Sequence, residues 1–202
     1  MNQHRKARIH AQTLAEMNHC VGTARRDAAY MRLCELAGGE GWPEGSSERK
    51  AFYAECLALV REVLETTRRS SLMFSDPGQE VYDRPLLHFL HLTDELFQTV
   101  TLLAEHVHTV RSEAEVLSEH LGAEAYSNLE NNCADFERHE RMAQGTLTGT
   151  LLVGQTLLKA DTERRRQMFS EDDCRRYDKA FAEYMRHYKD MGGERPRRTP
   201  DA

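Results

Sequence analysis

Residues that break helices are scarce in this chain, with 12 glycines and 5 prolines among 202 residues. That scarcity excludes collagen-like sequence and Gly/Pro-rich disorder. No alternating apolar–polar stretch marks a strand, which argues against a porin-type barrel. Apolar runs of 18 residues are also missing, so no helix is expected to span a bilayer. The first 20 residues are charged throughout and hold no apolar run, so a secretory leader is not expected and the chain reads as cytoplasmic. Cysteine is present five times, as Cys20, Cys34, Cys56, Cys133 and Cys174, with no Cys-x-x-Cys spacing. An odd, scattered set suits reduced and mostly buried thiols better than a disulfide or zinc framework.

What is abundant is helix-forming sequence. Residues 3–37 contain one glycine, Gly22, and no proline, and are rich in Ala, Arg, Met, Leu and Glu. The segment from Gly38 to Ser47 holds four glycines and Pro43 and reads as a loop. Ser46 or Ser47 is placed to cap a second helix carrying Phe52, Tyr53, Cys56, Leu57, Leu59, Val60, Val63 and Leu64 at three- and four-residue steps. Asp76-Pro77-Gly78 predicts a turn. A third helix is expected from about Pro85 to Leu121, with Phe89, Thr93, Leu96, Val100, Leu103, Val107 and Val110 on its core stripe. A fourth begins near Ala123 and heads toward Phe169, with Gly145, Gly149 and Gly154 weakening its second half. Ser170, followed by Glu171, Asp172 and Asp173, predicts the cap of a fifth helix ending at Gly192-Gly193. The expectation is an all-α fold, an elongated antiparallel bundle of four to five long helices in one domain over residues 1–193. A disordered basic tail, 194–202, is expected to follow.

Charge is unevenly spread. Residues 76–140 hold 14 acidic and 3 basic residues, a net −11 within a chain of net −6, together with six of the ten histidines. Carboxylates around imidazoles favour their protonation, and such an acidic surface repels phosphate backbones, so nucleic acid is disfavoured as a partner. His88, His91, Glu95 and His106 project to one side of the third helix. They are candidates for contact with a basic protein partner, or for metal ligation if facing helices supply more donors. Glu-x-x-His spacing, which di-iron bundles use, occurs at Glu16/His19 and Glu105/His108. Random placement of these residue types yields such pairs, so no metal and no cofactor is assigned. His139-Glu140 is followed by Ala143 where a zinc protease needs a second histidine, and no nucleophile elbow or phosphate-binding glycine loop is present. No catalytic residue is therefore named.

The longest uncharged stretch, Met142 to Leu158, carries Gly145 and Gly149 four apart. Small residues at that spacing admit another backbone closely. The expected use is a helix crossing inside the monomer, and the alternative is self-association or docking. Trp42, the only tryptophan, is expected to cover one end of the bundle, with an exposed anchor as the alternative. The run Arg164-Arg165-Arg166 is suited to the acidic segment of a neighbouring copy. The function expected from these features is a non-catalytic cytoplasmic adaptor, assembly or regulatory subunit. A metal-binding helical bundle with redox or oxygenase chemistry is the alternative.

Overall fold

The computed structural model describes residues 3–38, 46–73, 80–117 and 120–191. The loop with Trp42, the Asp76-Pro77-Gly78 turn and the basic tail lie outside them. Five helices follow one another: α1 Gln3–Ala37, α2 Ser46–Met73, α3 Glu80–Leu117, α4 Ala123–Met168 and α5 Glu171–Met191. No strand occurs among the described residues. The fold is a helical bundle, and no described helix is long and apolar enough to cross a membrane.

Pairwise contacts give the layout. Arg32–Glu55 and Arg25–Glu62 run in opposite chain senses along α1 and α2, as do Lys50–Glu105 and Arg61–Asp94 along α2 and α3. Helix α4 packs mainly on α3 and meets α1, while α5 lies on α1, with Cys20 near Asp173 and Glu35 near Lys189. Small residues allow these approaches. Ala24, Ala28 and Ala29 of α1 are fully buried, so neighbouring helices come close to its backbone. Between α1 and α3, α2 buries Phe52, Tyr53, Cys56, Leu59, Val60, Val63 and Leu64. Cys20, Cys56 and Cys133 are buried, and Cys34 and Cys174 half-buried.

Three features differ from the sequence expectation. Helix α3 runs from Glu80 to Leu117, which places Pro85 inside it and ends it short of the expected Leu121. Only one backbone bond is forfeited so near the helix start, and packing of the turns beyond it compensates. The buried side of α3 is centred on Leu86, Leu90, Thr93, Phe97 and Val100, whereas Phe89, Leu96, Leu103 and Val110 are half-buried at its border. Helix α4 is continuous over 46 residues despite its glycines. Its Leu147, Leu151 and Leu158 are buried in the main core, and that tertiary gain outweighs a propensity penalty of about 1 kcal/mol per glycine. Between α4 and α5 only Phe169 and Ser170 intervene; Ser170 Oγ accepts from the Asp173 amide at 3.2 Å and donates to its carboxylate at 2.7 Å.

Candidate functional site

Two polar clusters fix α4 in register. In the first, the Arg26 guanidinium is fully buried and donates to Asp27 Oδ1 at 2.9 Å, Asp161 Oδ2 at 2.6 Å and Thr162 Oγ1 at 3.0 Å. Arg165 Nε donates to the same Asp161 oxygen at 2.6 Å, while Thr162 and Tyr177 hydroxyls donate to Asp27 Oδ2 at 2.6 and 2.7 Å. Two guanidinium and two carboxylate groups leave the cluster neutral, the condition under which buried charge is tolerated. It ties α1, α4 and α5 together. Burial works against the Asp161 anion, but Arg26 and Arg165 more than offset it and hold its carboxyl below the usual range. Beside them His19 is pushed down to about 4, first by burial and then by repulsion from Arg165 and Arg26.

In the second cluster, buried Glu140 accepts from the Tyr53 hydroxyl at 2.6 Å and from Arg49 Nη1 at 3.1 Å. Gln144 donates to Tyr53 Oη at 2.8 Å. Burial, then Glu140, raises the Tyr53 pKa. These bonds join α2 to α4. Neither cluster pairs a nucleophile with a base. Burial raises the pKa of Cys20 and pushes the Cys34 thiol up to about 12, which keeps both thiols protonated at neutral pH.

The sequence candidates fall elsewhere. His88, His91, Glu95 and His106 are all exposed on α3. They do not converge, because His106 lies about 27 Å along the helix from His88 at 1.5 Å per residue. His91 Nε2 sits 2.9 Å from Arg68 Nη2, so its nearest charged neighbour is a cation, and the His106 ring meets Phe136 edge-on at 4.7 Å. Of the Glu-x-x-His pairs, Glu105 bonds Lys50 at 3.3 Å, and His19 belongs to the α1 cluster, with the Glu16 side chain outside the described residues. No group of three His, Cys, Asp or Glu able to hold a metal ion occurs among the described residues. A groove of about 480 Å³ opens between α1 and α5, edged by Arg176, Lys179, Glu183 and Tyr184.

The close helix crossing expected at Gly145 and Gly149 is made by Gly154 instead. A Cβ there would lie 2.1 Å from the hydroxyl of Tyr30, which donates to the Leu151 carbonyl at 2.8 Å. At Gly145 and Gly149 a Cβ would meet nothing within 4 Å, because both face outward. Around them the outer face of α4 carries exposed Met142, Leu152 and Val153, at 64, 60 and 44%. Thr146 and Thr156 share this face, and their hydroxyls donate to the Met142 and Leu152 carbonyls at 3.1 Å. Their polar groups are satisfied within the helix, which leaves methyls outward.

Sequence reasoning missed Arg26, Asp27, Asp161, Arg165 and Glu140; Arg165, expected with Arg164 and Arg166 to meet a neighbouring copy, is instead buried against Asp161. A signal existed for two of them: Asp161 and Arg165 continue the three- and four-residue spacing of Leu147, Leu151, Gly154 and Leu158, so they occupy the inner face. Compared with protein-family models, curated proteins and solved structures, the chain matches none.

Proposed function

We propose that the protein is a non-catalytic cytoplasmic adaptor, assembly or regulatory subunit that recognises a protein partner through helix faces, principally the outer face of α4. One observation carries this reading: an uncharged stripe, with large apolar side chains exposed, runs along a helix whose other side is fixed by two buried polar clusters. Exposed contiguous apolar surface on a rigid element is typical of recognition surfaces. Gly145 and Gly149 add to it, since each weakens the helix by about 1 kcal/mol relative to alanine and has no compensating close approach among the described residues.

The test is site-specific photocrosslinking in the native host. A photoreactive residue replacing Leu152 is expected to capture a protein, whereas one replacing exposed Lys179 on α5 is not. Absence of a crosslinked product from position 152, with the variant folded and expressed, overturns the reading.

A further inference from the structure

We infer that the partner of α4 is a second copy of this chain, docked antiparallel along the outer face about a two-fold axis near residue 150. The inference rests on the reading of that face as the docking surface and adds the identity of the occupant.

Within about 60° of Gly149 at 100° per residue lie Arg138, Met142, Gly145, Thr146, Leu152, Val153, Thr156, Ala160 and Glu163. All are exposed. From Met142 to Ala160 the stripe holds no charge and runs for about 27 Å. An isologous contact sets each residue opposite the one equally far beyond the axis. About residue 150, Met142 of one copy then lies over Thr156 and Ala160 of the other. Leu152 and Val153 lie over Gly149, where a side chain has open space. Large groups thus meet small ones.

Charges match in the same register. Arg138 and Asp135, which bond each other at 2.5 Å within the helix, come opposite Glu163 and Arg164 respectively. Beyond these pairs the acidic start of α4, with Glu124 and Glu130, points toward the basic end of the other copy's α4. A parallel pairing reverses every match, setting Leu152 on Leu152 and Arg138 on Arg138. Because the chain supplies both halves of the size match and both halves of the charge match, the face fits its own copy, and electrostatic complementarity fixes the antiparallel sense. Arg141 and Lys159, which the same register sets opposite each other, are like charges at the rim, where long side chains reach water and solvent screens them.

Analytical ultracentrifugation of purified protein across a dilution series tests this. Wild type is expected to dimerise. Arg138→Glu and Glu163→Arg are each expected to weaken association by at least about tenfold, and the double variant Arg138→Glu/Glu163→Arg to restore most of it. Both positions are exposed, and circular dichroism of the same samples verifies the fold. A monomeric wild type, or a double variant no tighter than either single one, overturns the inference. A monomeric wild type together with a photocrosslink from position 152 to a different protein defeats only the second-copy assignment. Loss of both defeats the docking reading as well.

Discussion

Helix α4 carries glycine on opposite sides and uses it in opposite ways. Gly154 faces inward, where the Tyr30 hydroxyl occupies the space a side chain would need. Gly149 faces outward, where nothing does. The inner face also carries Glu140, Asp161 and Arg165, three buried charged residues whose partners are fixed in position. Between Met142 and Ala160 the exposed stripe through Gly149 holds no charge, and Lys159 stands at its rim. The outer stripe thus lacks the charges that usually cover a solvent-facing helix side, while the inner face sets buried charge on either side of the apolar Leu147, Leu151 and Leu158. What it teaches is that the inner charges set register, since a shifted α4 would strand a carboxylate in the core. The outer stripe has no such task, which suits it to the docking proposed above.

The largest break in this contrast is expected inside. Arg26→Ala removes the cation shared by Asp27 and Asp161 and is expected to destabilise the fold by about 3–5 kcal/mol in urea unfolding. A loss below about 1 kcal/mol would show that the cluster does not set register. Gly154→Ala is next, expected to lose about 1–3 kcal/mol by overpacking against Tyr30, with partial recovery in a Tyr30→Phe background that removes the clashing hydroxyl. Equal losses in both backgrounds would place the clash elsewhere.

A third expectation is pH-dependent. Because folding lowers the His19 pKa from 6.5 to about 4, the unfolded chain takes up a proton across that window before the folded one does. Stability is therefore full above pH 6.5 and is lost as pH falls toward 4. His19→Gln is expected to flatten that part of the stability profile, and an unchanged slope would mean that another group controls it. The smallest effect is expected outside and has the opposite sign: Gly149→Ala should stabilise the monomer by about 0.5–1 kcal/mol, read as a higher urea midpoint at low concentration.

Much of this architecture was legible in the sequence. The apolar spacing from Phe52 to Leu64 marked α2 because the helix packs against both α1 and α3, and Ser170 marked the start of α5 because a hydroxyl followed by three acidic residues suits a helix N-terminus. The continuity of α4 was less legible, since glycine propensity is local and the packing of Leu147, Leu151 and Leu158 that overrides it is not. The same limit applied to the glycines themselves. Spacing drew attention to Gly145 and Gly149, but only the position of Tyr30, more than a hundred residues away in sequence, shows that Gly154 makes the crossing. On α3, helical projection placed His88, His91, Glu95 and His106 on one side, and they are exposed there. It gave no sign that Arg68 would meet His91, because that contact comes from another helix.

The most direct test of the contrast between the two faces is sedimentation of Gly149→Leu beside wild type, with helicity verified in the same samples. The account predicts a folded protein that remains at the 23.2 kDa monomer mass at concentrations where wild type has doubled it. A Gly149→Leu variant that associates as tightly as wild type would contradict it, since a leucine on the axis of the proposed contact could not then be tolerated.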